Sequence, residues 1–463
     1  MTTPRRAALP AGGGAVASSP SSGASVGLSG ESWQGGWRQG LAYGGLGLPL
    51  AFVALPLYVV LPNHYASEFG VPLATLGALL LFARALDAIA DPWIGRLADQ
   101  WFARSTTRVL AAAVAAAVLL AIGFRALFFP AAGVLDSGSA LLWWCGVALA
   151  VTYLAYSVLS VLHQAWGARL GGGEAQRARI VSWREGFALV GVLVASVLPS
   201  VAGLGVSTIV FALALTAGVA LLSLAPRASL SAISNLPGKA SAAPGKAAAA
   251  PSLTLPWRTP DFRRLLLVYL VNGIASAVPA TLVLFFIRDR LQAQAFEPLF
   301  LASYFAAGAL SMPLWLLLVR RIGLARSWLA GMLLAVLTFA WAATLGAGDV
   351  VAYTAVCVAS GVALGADLAL PGALLAGVIQ RSGHGGRLEG AYFGWWNFAT
   401  KLNLALAAGI ALPALAAWGY APGERSDDAL QALTAAYCLL PCLLKLGAAA
   451  LLYGVWIRNQ RPT

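Results

Sequence analysis

Charge is what this chain has least of. Only 10% of its 463 residues are Asp, Glu, Lys or Arg, against roughly a quarter in a soluble domain. Apolar residues make up 60% of the chain, and the mean hydropathy is +0.79. Such a chain cannot cover its surface with polar groups, which excludes a soluble globular protein and leaves a polytopic membrane protein. Acids are scarcer than bases, 17 against 30, for a net charge of +13. The basic residues fall in short connections between apolar runs and form no basic face. That excludes nucleic acid as a partner and reads as membrane orientation. Only four cysteines occur: Cys145, Cys357, Cys438 and Cys442. All sit in apolar runs and none makes a CxxC, so a disulfide scaffold and a cysteine metal site are excluded. No GxxxxGKS/T or HExxH pattern is present, so neither an ATP-driven pump nor a zinc hydrolase of that type is expected.

What the chain does have is long apolar runs. A bilayer-spanning helix takes about 20 mostly apolar residues, and twelve such runs can be drawn: 41–62, 71–98, 108–130, 140–166, 178–201, 205–225, 262–287, 297–321, 327–347, 351–380, 389–418 and 429–457. Residues 1–38 are rich in Gly, Ser, Ala and Pro and read as a disordered tail without a signal-peptide core. Residues 227–261, also rich in Pro, Ala, Ser and Gly, read as a linker between two six-helix halves, 39–226 and 262–457, with 458–463 as a short tail. The even-numbered connections carry the bases, among them Arg96, Arg104, Arg169, Arg177, Lys239, Lys246, Arg320 and Arg381. Both termini and the linker are therefore predicted to be cytoplasmic, in the inner membrane. Six helices plus six, with a linker between, predicts a duplicated transporter. DPWIGRLADQWFARSTTR in the second run and MPLWLLLVRRIGLARSW in the eighth share a Pro, a nearby Trp and a basic loop.

The stretch FARALDAIADPWIG puts Arg84, Asp87 and Asp91 inside a membrane-length segment. Aligning Pro92 with Pro313 sets them against Phe305, Gly308 and Met312, so the second half repeats the frame and drops the charges. Asp87 and Asp91 are one helical turn apart on one face, with Arg84 one turn before. Two such carboxylates can share a proton or hold a small hard cation through oxygen. Intramembrane acids are functional candidates by default; the structural alternative is that Arg84 neutralises Asp87 while Asp91 snorkels. Asp99 is expected to tie helices together. Lys401, well inside the eleventh run, needs an acidic partner, for which Asp367 and the two acids of the second run are available. Asn272 and Asn397 are expected to link helices by hydrogen bonds. Arg184 and Glu185 are adjacent and predicted to point apart, with Glu185 turned to a basic loop. Tyr43, Tyr392, Trp395 and Trp396 are candidates for a pocket wall; the alternative is aromatic packing.

RALDAIADPWIG resembles the second-helix signature of the glycoside–pentoside–hexuronide:cation symporters, a family of the major facilitator superfamily. LAYGGLGLPLAF resembles the family's first helix, GADLALPGALLAGVIQ its tenth, and EGAYFGWWNFATKLNLALAAG its eleventh with a buried lysine. The resemblance runs over about residues 38 to 457, with its motifs in order. It implies the all-α major facilitator fold, twelve helices in two bundles, with a cation site at Asp87 and Asp91 (Na⁺ ligands if sodium is coupled). Lys401, Arg84 and Asp367 are the expected coupling residues. Arg184 matches a substrate-side arginine, and Trp166, in HQAWGARL, a tryptophan of the sugar pocket. Two departures stand out. Where sugar-transporting members carry acids on helices one and four, this chain has Ala51 and Leu162; His163 beside the second reads as a packing histidine, with a polar substitute or a titrating group as the alternatives. The tenth-helix motif has Gly377 and Gln380 where acids are common.

The sequence thus predicts a secondary active transporter. It would carry a small organic solute, a sugar, glycoside or uronate by resemblance, together with Na⁺ or H⁺, with no cofactor beyond that ion. Substrate would meet Arg184, Trp166, His163, Tyr43, Tyr392 and Trp396. Its partners would be that solute and the lipid bilayer, and the unit a monomer. The alternatives are a cation-coupled carrier of a lipid-like or anionic non-sugar solute, and a non-transporting membrane sensor.

Overall fold

A computed structural model describes residues 33–135, 137–227 and 253–458. Lys239, Lys246, the tail before Trp33 and the tail after Arg458 lie outside the described residues. Every regular element there is helical, as a chain must be that satisfies its backbone polar groups without water.

The spans follow in chain order: α1 (Trp37–Tyr58), α2 (Leu73–Arg104), α3 (Thr106–Phe128) and α4 (Gly138–Arg169). Glu174–Ser223 holds two spans, α5 and α6, parted at Gly203, whose φ of 79° no β-carbon tolerates well. Then come α7 (Pro260–Arg290), α8 (Gln294–Leu310 with Met312–Ile322, bent by 41°), α9 (Leu324–Ala342), α10 (Val350–Arg381), α11 (Glu389–Ala417) and α12 (Asp427–Ile457). α2 is 32 residues long and carries Arg84, Asp87, Asp91, Arg96 and Asp99. The predicted tail ends earlier than residue 38: Trp33 is already buried and α1 begins at Trp37.

An even number of spans returns the chain to one end, so the start of α1, the end of α6, the start of α7 and the end of α12 share a face, here called the linker end. One buried core lies wholly within residues 33–225, and another within 278–438. A third joins Ala168, Ala178, Val181 and Leu189 of the first half to α7–α12 of the second. That third core is the seam between the bundles. Large apolar side chains such as Leu81, Val201, Leu310, Leu337 and Val351 point outward, a surface that only lipid would cover.

Candidate functional site

Two small-residue faces make the site possible. On α2, Asp87, Asp91, Gly95 and Asp99 recur every fourth residue and share one stripe. On α11, Gly390, Gly394 and Lys401 share another. The two helices run antiparallel and almost touch. A β-carbon on Gly95 would strike the carbonyl of Gly390, and one on Gly394 would strike the carbonyl of Asp91. Glycines let the backbones close, and the closure carries Lys401 of the second bundle onto the acids of the first.

There the Lys401 Nζ lies 2.6 Å from an Asp87 oxygen and 2.7 Å from Asp91 Oδ2. It donates to Ser157 Oγ on α4 at 2.7 Å, and Ser157 donates to Asp87 Oδ1 at 2.6 Å. Asp87 is 5% exposed and Asp91 fully buried. Asp91 Oδ1 has no hydrogen-bond partner, which leaves one carboxylate oxygen unspent. Two carboxylates and a hydroxyl within reach of one point form an oxygen set suited to a hard cation, and the lysine ammonium fills that point. Arg84 does not neutralise Asp87 by contact. Its guanidinium lies over the Tyr58 ring at 3.2 Å.

Asp87 and Lys401 form the floor of a cavity of about 390 Å³ between the bundles, with Asp91 and Ser157 behind them. Ala51, Arg84, Asp87, Arg184, His163 and Trp396 line it, as do Tyr269, Asp367 and Lys401. Trp396 stacks on Tyr269 at 3.8 Å. Gln164 of α4 donates to Asn397 Oδ1 of α11 at 3.0 Å, a second cross-bundle tie. Below the floor, towards the linker end, Asp99 accepts from the backbone N–H groups of Gly390 (2.7 Å) and Ala391 (2.8 Å). Arg169 of α4 pairs with Asp99 at 3.2 Å and with Glu389 at 3.0 Å. An acid thus caps the positive start of α11 from the other bundle, and the cavity is shut at the linker end.

Several expected pocket residues lie elsewhere. Trp166 is buried and turned away from the cavity, its indole donating to the Pro226 carbonyl at 2.9 Å. Tyr392 is fully buried against Thr259 and His384, both at 2.7 Å, near the linker end. Tyr43 stands behind the wall, its hydroxyl donating to the His163 carbonyl at 3.2 Å. His163 reaches the wall, with Nε2 2.7 Å from the Tyr43 carbonyl and Nδ1 unpartnered. Trp395 donates to the Leu253 carbonyl at 2.9 Å and is a packing residue. Arg184 and Glu185 do not part: the long arginine folds back, and its Nη2 lies 2.5 Å from Glu185 Oε1.

Asp367 is not the partner of Lys401. It pairs with Lys445 of α12, which also donates to Asn272 Oδ1 at 2.9 Å. Asn272 (3.1 Å), Ser276 (3.1 Å) and the Trp328 indole (2.9 Å) complete its shell. All four helices of this knot belong to the second bundle. Lys445 stands in the run CLLKLGAAALL, and a lone cation in so apolar a run was the signal for it. Ser157 and Gln164 carried no such signal.

A family model described as MFS/sugar transport protein matches residues 40–458. This chain belongs to that family. It is a membrane transporter protein of the major facilitator fold, as the motifs implied, and not an enzyme. Over 140 residues it is 34% identical to the Inner membrane symporter YicJ of Escherichia coli (strain K12), a stretch covering 29% of this chain and 28% of that protein. The chain thus aligns with under a third of that relative's length. Among solved structures, a Major Facilitator Superfamily transporter, FucP, in the outward conformation, is similar with a TM-score of 0.65 and 15% identity, covering 91% of this chain and 99% of that one. A bacterial homologue of the iron transporter ferroportin in an outward-facing state has a TM-score of 0.60 and 17% identity, covering 89% and 99%. At such identities the likeness is one of fold.

Proposed function

We propose that this protein is a secondary active symporter that couples Na⁺ or H⁺ to uptake of a small organic solute across the inner membrane. One observation carries the reading: a lysine of one bundle is clamped by two buried carboxylates of the other, at the floor of the cavity both bundles share. The linker end is the cytoplasmic end by its bases, so the closed side faces inward and the cavity outward. A cation entering between Asp87 and Asp91 competes with the ammonium of Lys401 for the same oxygens. Its binding loosens the cross-bundle clamp, so the filled site and the empty site favour different arrangements. The bundles then rock about the seam and open the cavity inward.

The family description and the symporter relative support a sugar, glycoside or uronate as the solute. The wall favours a second class as well. Ala51 lines the cavity where a sugar-binding acid would stand, and the aromatic pair Tyr269–Trp396 offers a flat apolar face, which suits an anionic or less hydroxylated solute. A non-transporting sensor would have no need of the carboxylate–lysine clamp.

The test is a thermal-stability titration of the purified chain with Na⁺ against choline at constant ionic strength, at two pH values. A ligand that binds only the folded state adds about 2.7 kcal/mol at 100 times its Kd. Na⁺-dependent stabilisation that is lost in Asp91→Asn establishes sodium coupling. A pH response lost in the same variant, without a Na⁺ response, establishes proton coupling. No response to either ion refutes the cation site, and concentrative uptake by proteoliposomes separates a carrier from a sensor.

A further inference from the structure

The charges around the cavity are unevenly paired. Four cations and four carboxylates stand in or directly behind the wall: Arg84, Arg184, Lys401 and Lys445, and Asp87, Asp91, Glu185 and Asp367. Arg184 is taken by Glu185, and Lys445 by Asp367. Lys401 holds both Asp87 and Asp91. Among the described residues Arg84 is therefore left as the cavity cation with no carboxylate in contact. It lies over Tyr58 at 3.2 Å and near Tyr153 at 5.4 Å.

We propose that Arg84 is the anchor for the carboxylate of a monoanionic organic substrate, and that cation and anion cross together with no net charge moved. The inference rests on the cation-coupled reading above and names the substrate class of the same cavity.

A cation–π contact offsets part of the cost of a desolvated guanidinium, and with Tyr153 as its hydrogen-bonding neighbour most of its donors stay open to a ligand. The planar fork matches a carboxylate with two parallel hydrogen bonds. The surrounding tyrosines give the substrate's body an amphipathic wall. Arg84 precedes Asp87 by one turn of α2, so a bound anion and a bound cation lie on neighbouring turns of the same helix. Each then favours the other by direct attraction, which is a coupling free energy in physical form.

Charge neutrality supplies the rest. Counted as above, the empty cavity is neutral. A cation alone makes it +1 and an anion alone −1. Both together restore neutrality. When the bundles rock, this volume is closed off from water on both sides, where an unbalanced charge is costly. The empty and the doubly loaded forms cross readily, and the singly loaded forms do not. Coupling needs no further device than that.

The experiment uses the purified full chain with saturating Na⁺, at two pH values, and acid–neutral pairs of one skeleton: D-glucuronate against D-glucose, D-galacturonate against D-galactose, and D-gluconate against D-sorbitol. Affinity is read from thermal shift and calorimetry. At least one acid is expected to bind roughly 10-fold or more tighter than its neutral partner, the size of a charge-assisted hydrogen-bond pair. That preference should vanish in Arg84→Gln and survive in part in Arg84→Lys, which keeps the charge without the fork. If Arg84→Gln fails to fold, the partial loss in Arg84→Lys decides. A panel in which no acid is preferred, or a preference that outlasts Arg84→Gln, overturns the proposal. In proteoliposomes the preferred acid should accumulate to the same extent at any imposed potential. One net charge per cycle would instead change accumulation about 50-fold per 100 mV, and that result overturns the electroneutral cycle. The Na⁺ or pH response of the protein without solute reads the cation site by itself. If that response persists while the anion preference is absent, only this inference falls.

Discussion

Lys401 Nζ and Asp91 Oδ2 lie 2.7 Å apart across the seam between two halves of the chain, separated by more than three hundred residues. The carboxylate is fully buried and the lysine side chain 19% exposed. A charge so placed is stable only while its partner stays. That links the energetics of the site to the contact between the bundles.

Removing the lysine should therefore cost far more than removing the whole set. Lys401→Met leaves Asp87 and Asp91 facing each other with Ser157 alone to serve them. Breaking a buried pair from one side costs about 3–5 kcal/mol. Adding Asp91→Asn to that variant should recover most of the loss. Thermal unfolding of the three proteins measures it, and a Lys401→Met protein as stable as wild type would show that the clamp carries no energy.

The glycines of the seam give a different readout. A β-carbon on Gly95 meets the backbone carbonyl of Gly390, which cannot swing aside as a side chain could. Gly95→Ala should hold α2 and α11 apart and open the linker end. Spin labels at Ala103→Cys and Arg387→Cys would report a distance distribution moved to longer values. All four native cysteines are buried, so they compete little for label. An unchanged distribution would mean that the helices slide past each other without parting.

Much of this site was legible because its logic is local. Asp87, Asp91, Gly95 and Asp99 lie on one helix at one spacing, and a lysine deep in the eleventh run demanded acids. What escaped depends on partners far away in sequence. Trp166 sits in a motif that implies a pocket, yet its indole finds the Pro226 carbonyl at the end of α6. Arg184 and Glu185 leave the helix in different directions, but an arginine is long enough to fold back on its neighbour. Asp367 had two intramembrane lysines as possible partners, and only packing decided for Lys445. The fold was legible from run lengths, and the runs 178–201 and 205–225 flank Gly203, where the backbone of the long helix breaks into α5 and α6.

Asp99 offers a graded test of the closed end. It serves two backbone N–H groups at the start of α11 and pairs with Arg169. Asp99→Ala leaves those donors unserved in a buried place, at about 1–3 kcal/mol. Spent on the closed arrangement alone, that shifts its population roughly 5- to 150-fold. A cysteine at Ser160, which lines the cavity, should then react faster with an impermeant maleimide supplied from the linker side. Asp99→Asn, which keeps an acceptor, should fall between. Equal labelling rates in all three would place the gate elsewhere.

The knot of Asp367, Lys445 and Asn272 should behave as part of one bundle and not as part of the clamp. Its members all lie on α7, α9, α10 and α12, so it holds the second bundle rigid while the bundles move. Lys445→Met and Asp367→Asn should each cost about 3–5 kcal/mol, since each strands a buried partner. The double variant should cost much less than their sum, with a coupling of up to about 3 kcal/mol. Pairing Asp367→Asn with Lys401→Met instead should give costs additive within about 0.5 kcal/mol, because these residues share no contact. Strong coupling in that second cycle would join the two charge clusters into one, and Asp367 would then belong to the cation machinery after all.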